Sequence, residues 1–307
     1  MIWWLILAVL IAAPLVIEHR RRVMDDAARG SAKGQFVELS QGVTHFEWHG
    51  PPRGPVIVCI HGLTTPSFVW RGMTRSLAVA GFRVLTYDLY GRGYSSRPKG
   101  PQDRKFFLTQ LTELLAREGV DDDLTVIGYS MGGAIATTFA ATYPERMRQL
   151  VLLAPAGMRV VKGGLVGFVK RTPLVGDWIT LALYPRLLRS GIRAERGIPG
   201  SVPSVGDLQE AEIEVKGFLP AVLASLRGIL SEDLSADHRA IAAYGLPVLA
   251  IWGREDSVIP LSCIGTLAEW NRNAQQEVID GAGHGLTYTH SDTVLRLMRG
   301  WMKMPQT

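Results

Sequence analysis

Three side chains that could perform nucleophilic catalysis occur far apart in the chain. They are Ser130, within the glycine-rich run 128–133, Asp256 and His284. A serine hydroxyl attacks well only when an imidazole accepts its proton, and the imidazole needs an acceptor on its other nitrogen. The three residue types therefore predict acyl transfer, with Ser130 as nucleophile, His284 as base and then acid, and Asp256 as the orienting carboxylate.

The sequence around Ser130 predicts a sharp turn between a strand and a helix. Gly128-Tyr129-Ser130-Met131-Gly132-Gly133 follows an apolar segment, 124–127, and precedes a helical pattern that begins near Ala134. In a G-x-S-x-G elbow the glycines make room for a serine in a strained backbone, so that its hydroxyl projects from the edge of the sheet. Asp256 and His284 also follow predicted strands, and the order serine, acid, histidine is that of one fold.

The remaining parts of such a site are predicted from neighbouring residues. The backbone N–H groups of Met131 and Leu63 are the expected donors to the oxyanion of the tetrahedral intermediate. Substrate contacts are expected from His61, Gly62 and Tyr129, although the ring of His61 could instead hold the oxyanion loop in place. No metal ion or cofactor is expected.

Rival residues are assigned other roles. His290 is an alternative base but is expected at the surface or behind the site, and Glu255 is an alternative acid whose side chain should diverge from that of Asp256. Asp88 is expected to shape a turn at the sheet edge. Cys59 is expected to be a small buried apolar residue.

Short apolar runs alternate with amphipathic stretches, a pattern that predicts an α/β fold with a mostly parallel sheet. Two early segments predict an antiparallel hairpin at its edge. Between 158 and 243 the alternation stops, and helical patterns punctuated by prolines, Pro185 among them, predict an inserted helical cap. The predicted organisation is an N-terminal anchor at 1–22, a linker at 23–35, a core at 36–157 and 244–307, and the cap at 158–243.

The motifs resemble those of α/β-hydrolases of the lid-bearing serine esterase and lipase branch, with monoacylglycerol lipases and C–C hydrolases as the nearest types. The resemblance rests on His61-Gly62, the turn 88–95, the elbow 128–133, Trp252 to Asp256 and Gly283-His284. It implies an eight-stranded, mostly parallel sheet with helices on both faces and an inserted helical cap, and hydrolysis through an acyl-enzyme.

The expected substrate is a lipophilic carboxylic ester, either monoacylglycerol-like or with a medium-chain acyl group. A serine nucleophile favours acyl transfer over the alkyl transfer that related folds perform with aspartate. One alternative is a C–C bond hydrolase, against which stand the loop His61-Gly62-Leu63-Thr64-Thr65, without asparagine, and Gly285 where such enzymes carry tryptophan. Another is a catalytically silent accessory protein at the membrane.

Residues 2–17 form an uncharged and almost wholly apolar segment, which as a helix spans about 24 Å. Trp3 and Trp4 lie near one end and Arg20, Arg21 and Arg22 at the other, as in a segment held by an aromatic belt and a basic flank. We expect an uncleaved membrane anchor with the catalytic domain in the cytoplasm. The alternatives for the segment are a signal peptide and a core helix, and the alternative location of the domain is the periplasmic or extracellular side.

The overall charge excludes some classes of partner. The net charge of +5 is too small and too local for a nucleic-acid binder, and two cysteines do not make a disulfide scaffold. Charge is unevenly distributed in the predicted cap. Residues 158–200 carry eight basic and two acidic side chains, whereas residues 201–243 carry seven acidic and three basic ones. The basic half, which includes Lys162, is expected either to meet an anionic lipid leaflet or to be an ordinary solvated face.

Overall fold

Eight strands form one sheet in the computed structural model, which describes residues 1–159 and 163–302. Lys162 of the predicted cap and the last five residues of the predicted core lie outside the described residues. The strands are β1 Gln35–Leu39, β2 Gly42–His49, β3 Val56–Ile60, β4 Arg83–Tyr87, β5 Leu124–Tyr129, β6 Met147–Leu153, β7 Val248–Gly253 and β8 Gln275–Ile279.

The sheet has the order β1-β2-β4-β3-β5-β6-β7-β8. β1 pairs antiparallel with β2, and β2 antiparallel with β4, whereas the pairs from β4 to β8 are parallel. The predicted edge hairpin and the predicted mostly parallel sheet are therefore confirmed. Carboxyl ends of parallel strands meet at one edge, which is where such sheets bind ligands.

Helices cover both faces of the sheet and fill the insertion. They are α1 Ile2–Arg20, α2 Asp26–Arg29, α3 Arg71–Val79, α4 Arg104–Arg117, α5 Met131–Thr142, α6 Gly164–Arg171, α7 Val175–Glu195, α8 Val205–Ile213, α9 Phe218–Arg227, α10 Ser235–Tyr244, α11 Ser262–Trp270, α12 Leu286–Thr289 and α13 Ser291–Trp301.

Alternation along β3 shows how the sheet separates two cores. Ile57 and Cys59 face the side covered by α3 and α13, and Val58 and Ile60 face the side covered by α4, α5, α10 and α11. Successive side chains of a strand point to opposite faces, so an apolar run is buried on both. Cys59 is fully buried, as expected, and burial raises the pKa of its thiol.

The inserted helices have a core of their own, formed by Ile213, Phe218, Leu219, Val222 and Leu226. The predicted cap boundary at 243 lies too late, because Leu234 and Ile241 pack with the core under the sheet and α10 lies against α5. Pro185 was expected to separate two helical patterns, yet it is buried inside α7. A proline removes one helical hydrogen bond, and packing of α7 against α1 and α9 holds the two halves together.

α1 is long and apolar enough to cross a membrane, and its polar end is fixed to the cap. The Gly217 N–H donates to Glu18 Oε1 at 2.6 Å, and Arg22 forms a parallel bridge with Val215. The predicted linker at 23–35 is partly structured, since it contains α2, which is capped by the Asp25 carboxylate. α1 and the residues that follow it are thus hydrogen-bonded to the insertion.

His238 in α10 predicts an acid-sensitive contribution to stability. The residue is fully buried, and within the described part of the chain neither ring nitrogen has a hydrogen-bond partner. Burial lowers the pKa of His238 from 6.5 to about 4. Between pH 4 and 6.5 His238 is protonated in the unfolded chain but stays neutral in the folded chain. The free energy of unfolding therefore falls as the pH drops from about 6.5 to 4.

We expect His238→Met to raise the free energy of unfolding by about 1–3 kcal/mol at neutral pH, because it removes two unsatisfied polar atoms. It should also remove up to about 3 kcal/mol of the loss between pH 6.5 and 4. Urea unfolding at a series of pH values measures both effects. A variant that is as stable as the parent and equally sensitive to acid would contradict this account.

Candidate active site

Ser130 lies at the turn from β5 to α5, with φ +54° and ψ −117°. A positive φ is uncommon for a residue other than glycine and stores strain of the order of 1–3 kcal/mol. The Ser130 N–H donates to the carbonyl of Leu153, and its own carbonyl accepts from the N–H groups of Gly133 and Ala156. These bonds hold the strained turn in the sheet, as the elbow motif predicts.

Two glycines of the motif are required by close backbone approach. A Cβ atom on Gly128 would lie 2.4 Å from the carbonyl oxygen of Gly132, and one on Gly132 would lie 2.0 Å from that of Ile60. Any side chain there would push α5 away from β3 and β5. The glycines therefore allow the start of α5 to approach the strand ends, which brings the oxyanion loop beside the serine.

The three predicted side chains form one hydrogen-bonded row. Ser130 Oγ lies 2.9 Å from His284 Nε2, and His284 Nδ1 lies 2.8 Å from Asp256 Oδ2. Since the carboxylate only accepts, Nδ1 carries the proton and Nε2 is free to take one from the serine. The geometry is that of a nucleophile, a base and an orienting acid, and the catalytic roles themselves stay predictions.

Backbone donors fix the carboxylate of Asp256. Its Oδ1 accepts from the N–H groups of Val258 and Ile259, both at 2.8 Å, which leaves Oδ2 for His284. The Asp256 side chain is 1% exposed, that of His284 is 18% exposed, and Ser130 is 9% exposed. The row is therefore covered by protein except at the histidine, where a substrate can approach.

His61 positions the oxyanion loop. Its Nε2 accepts from the Leu89 N–H at 2.9 Å, so Nδ1 carries the proton and donates to the carbonyl of Gly62 at 2.8 Å. Burial lowers the pKa of His61 to about 4, which keeps this arrangement neutral. In a trans peptide the N–H points opposite to the C=O, so this bond sets the direction of the Leu63 N–H.

The prediction that His61 contacts substrate is therefore not supported, because the ring is fully buried and both nitrogens are used. The alternative role, holding the loop, agrees with the contacts. Gly62 lies beside the nucleophile, since a Cβ there would be 3.3 Å from Ser130 Cβ. Met131 is the first residue of α5, where N–H groups have no acceptor within the helix, as an oxyanion donor requires.

Arg92 was missed by the sequence analysis as a residue that supports the site. It is fully buried, its Nε donates to the carbonyl of Leu63 at 3.0 Å, and its Nη2 donates to Ala221 O and Ser225 Oγ of α9. Burial lowers the pKa of Arg92 to about 9. The guanidinium thus connects the cap to the oxyanion loop. In the sequence Arg92 lies between two glycines, which indicates a turn. The sequence gives no sign that its side chain reaches acceptors in the cap.

Tyr129 supports the histidine loop instead of lining a substrate site. The residue is 2% exposed, and its hydroxyl donates to the carbonyl of His284 at 3.1 Å. The same loop is held from the cap, because the Tyr288 hydroxyl donates to Glu195 Oε2 at 2.8 Å. The predicted substrate contact by Tyr129 is therefore not supported by its position.

The rival residues lie outside the row. His290 Nδ1 is paired with the Thr289 hydroxyl, and Glu255 is exposed. Asp88 accepts from His45, Ser67 N–H and Tyr94 N–H. Burial alone would raise the pKa of Asp88, but the hydrogen bond from His45 holds it well below its usual range. Asp88 thus shapes the turn, as expected.

Metal-binding groups are not part of this arrangement. Across residues 1–159 and 163–302, no group of three or more histidine, cysteine, aspartate or glutamate side chains could hold a metal ion. The hydrogen bonds among Ser130, His284 and Asp256 fit attack by a serine assisted by an imidazole.

Comparison with known proteins gives the same fold. A family profile described as the alpha/beta hydrolase fold matches residues 55–291. The 2-hydroxymuconate semialdehyde hydrolase of Pseudomonas sp. (strain CF600) is 30% identical over 255 residues, which are 79% of this chain and 85% of that protein. The pimeloyl-[acyl-carrier protein] methyl ester esterase of Aliivibrio salmonicida is 26% identical over 81% of this chain and 92% of its own length.

One solved structure is similar over almost the whole chain. It is a bacterial membrane phospholipase A, described as a virulence factor, with a TM-score of 0.69 and 19% sequence identity. The match covers 98% of this chain and 94% of the other. At this identity the likeness shows the shared fold.

Proposed function

The chain belongs to the α/β-hydrolase fold family and is a hydrolase, and we propose that it cleaves a lipophilic carboxylic ester through an acyl-enzyme. The hydrogen-bonded row of Ser130, His284 and Asp256 carries this proposal. The similarity to an esterase of Aliivibrio salmonicida supports ester hydrolysis as the reaction.

The geometry gives each group a step. His284 Nε2 takes the proton of Ser130 Oγ as the oxygen attacks the ester carbonyl, and Asp256 stabilises the imidazolium. The N–H groups of Met131 and Leu63 donate to the oxyanion of the tetrahedral intermediate. His284 then gives its proton to the leaving alkoxide, so that an alcohol departs and the acyl group stays on the serine. Water, deprotonated by the same imidazole, releases the carboxylic acid.

The proposed substrate is apolar because of the segment that precedes the core. α1 exposes large apolar side chains along most of its length, among them Trp3, Leu10 and Ile17. Such a surface is stable in lipid, and an enzyme held there meets acyl esters that dissolve in lipid. We propose a monoacylglycerol-like or medium-chain acyl ester.

The proposed location is the membrane surface. α1 acts as the anchor, and the arginines that follow it place the catalytic domain on the cytoplasmic side under the positive-inside rule. A cleaved signal sequence is the competing interpretation, against which stand the contacts of Glu18 and Arg22 with the cap.

A C–C bond hydrolase is the second candidate, favoured by the 30% identity to the 2-hydroxymuconate semialdehyde hydrolase. The reaction would cleave a carbon–carbon bond next to a ketone, with the same serine and histidine. Two features argue against it, the oxyanion loop without asparagine and Gly285 in place of tryptophan. Ester hydrolysis needs neither feature.

A panel of p-nitrophenyl esters with acyl chains from about two to sixteen carbons separates the candidates, beside a vinylogous diketone acid as the C–C substrate. We expect kcat/KM for the esters to rise with chain length over the first several carbons, since each buried CH₂ contributes up to about 0.8 kcal/mol. Turnover of the diketone acid should be far lower. Preferential cleavage of the diketone acid would overturn the ester proposal, and no turnover of any substrate by folded protein would favour the silent accessory protein.

A further inference from the structure

The turn between α6 and α7 holds a leucine outward in a strained conformation. Leu174 has φ +64° and ψ −59° and is 83% exposed. The Val175 N–H donates to the carbonyl of Pro173 at 2.7 Å, which closes a three-residue turn of the rare, positive-φ kind. Such a backbone costs about 1–3 kcal/mol and persists where the surroundings enforce it, often at functional places.

Specific contacts enforce this turn. The Leu174 N–H donates to Asp177 Oδ2 at 2.7 Å, and Arg227 Nη1 of α9 donates to Asp177 Oδ1 at 2.8 Å. Arg227 Nη2 also donates to the carbonyl of Val169 in α6 at 2.8 Å. The two cap helices and α9 are thereby tied together below the turn, while the leucine side chain is left in solvent.

Other exposed apolar side chains lie on α6, which precedes this turn, and at the start of α7, which follows it. We name Leu165, Phe168, Leu174 and Val175 the apolar corner, and each is 42% or more exposed. Contiguous exposed apolar surface on a globular protein marks a binding site for a protein, a ligand or a membrane. The corner belongs to no part of the hydrolytic machinery described above.

The position of α1 identifies the partner. The Trp178 indole N–H donates to the carbonyl of Ile11 at 2.9 Å, so the first turn of α7 lies beside the middle of α1. Pro14, one turn along α1, lacks an N–H and disturbs the helical bonding there, which leaves carbonyls of the preceding turn open to an outside donor. This bond joins the cap to the most apolar part of the chain.

A second pair of contacts sets the direction of the two helices. Near the polar end of α1 the Arg22 N–H donates to the carbonyl of Glu214, whose carboxylate pairs with Arg189 of α7. From Ile11 to Arg22 and from Trp178 to Arg189 the chain advances by the same number of residues, about 16 Å at helical rise. The helices therefore run side by side, and the apolar corner lies toward the end of α1 that is remote from the arginines.

We propose that the apolar corner enters the same lipid leaflet as α1, so that the cap is held in the membrane at two places. The proposal rests on the anchoring role proposed for α1. The partner is a lipid bilayer because the corner continues the apolar surface of a helix with the length and composition of a membrane segment.

Burial of apolar side chains contributes more to the proposed binding of the cap to the bilayer than basic charge does. The basic half of the cap is partly neutralised by the acidic half, since Arg189 pairs with Glu214, and Arg196 with Asp207 and Glu210. Full burial of one leucine, valine or phenylalanine side chain contributes about 1.5–3 kcal/mol, more than an exposed charge pair. Asp177 and Arg227, near the corner, neutralise each other.

α7 links this contact to the catalytic loop. The helix begins at the apolar corner and ends at Glu195, which accepts from Tyr288 in the loop that follows His284. Its 21 residues span about 31 Å. A cap embedded at one end of α7 is thus joined through this helix to the residues that follow His284.

Nitroxide labels at Leu174→Cys and Phe168→Cys test the proposal, with Val79→Cys as the matched control. Val79 is 80% exposed but lies on α3, and the native Cys59 and Cys263 are buried. In vesicles of phosphatidylethanolamine and phosphatidylglycerol we expect collisions with oxygen to exceed those with a water-soluble nickel complex at both corner positions, and the reverse at the control. Nickel access at position 174 equal to that at position 79, or spin–spin broadening that shows a second copy at the corner, would overturn the proposal.

Two substitutions of the leucine add a functional measurement. Leu174→Gly removes the side chain and relieves the backbone strain, and Leu174→Asp adds a charge that resists entry into lipid. Both should lower turnover of a long-chain ester embedded in vesicles by about tenfold or more, and leave turnover of a soluble butyryl ester unchanged. Equal loss on both substrates would contradict the membrane role, whereas absence of ester turnover in the parent enzyme would contradict the proposed function alone.

Discussion

Replacing Ser130 with alanine is expected to lower kcat for a p-nitrophenyl ester by about 10⁶-fold, down to the rate that the oxyanion donors and binding support alone. The substitution removes the attacking oxygen, and neither His284 nor Asp256 can take its place because both are held in the row. Steady-state kinetics on purified variant and parent protein measure the loss.

The thermal midpoint provides the control for this variant. Alanine keeps the Cβ and the strained backbone of residue 130, so we expect the fold and its midpoint to change little. A His290→Gln variant, altered at the rival base, should retain activity close to that of the parent. Near-normal turnover by Ser130→Ala, or a collapse of activity in His290→Gln, would contradict the assignment.

Asp256→Asn is expected to lower kcat by about 10⁴-fold while leaving the fold intact. The N–H groups of Val258 and Ile259 both donate to Oδ1, so the asparagine must place its carbonyl oxygen there and its NH₂ toward His284. The amide then donates to Nδ1, which puts the ring proton on Nε2. An imidazole protonated at Nε2 cannot accept the proton of the serine.

The neighbouring acid gives a matched control. Glu255 is exposed and lies outside the row, so Glu255→Gln should keep kcat within a few-fold of the parent. Comparing the two variants at one pH separates loss of the orienting acid from a general effect of removing a negative charge. A severe loss in Glu255→Gln with a mild one in Asp256→Asn would reverse the assignment of the acid.

The hydrogen-bonded row of Ser130, His284 and Asp256 could be predicted because its determinants are local in sequence. The turn at Ser130 needs glycine at positions 128 and 132, where a Cβ atom would lie 2.4 Å and 2.0 Å, respectively, from a backbone oxygen. Asp256 follows the apolar strand β7 and His284 follows β8, and parallel strands bring their carboxyl ends to one edge. Strand length, glycine position and residue type therefore suffice to bring three distant side chains together.

The supporting contacts could not be predicted because they join parts of the chain far apart in sequence. The bond from Arg92 to its acceptors in α9 and the bond from Trp178 to Ile11 depend on tertiary packing, which produces no periodic pattern in the sequence. The sequence predicts substrate contacts for His61, which follows an early strand, and for Tyr129, which adjoins Ser130. In the structure both side chains are buried. His61 hydrogen-bonds to Gly62 and Leu89, and the Tyr129 hydroxyl donates to the carbonyl of His284.

The end of the cap was misjudged for a related reason. α10 follows the helical insertion without an intervening strand, so its pattern resembles that of the cap helices. The packing of Ile241 against the core beside α5 assigns α10 to the layer that covers the sheet. Pro185 likewise marks a helix end by propensity, and tertiary contacts of α7 overcome that preference.

Labelling with a fluorophosphonate tests the central claim most directly, because the reagent phosphonylates only a serine that a neighbouring base activates. After digestion, mass spectrometry should find the adduct on the peptide that contains Ser130, with no label in Ser130→Ala and none in His284→Gln. An adduct on another residue, or a folded protein that takes up no label, would contradict a hydrolase built on Ser130, His284 and Asp256.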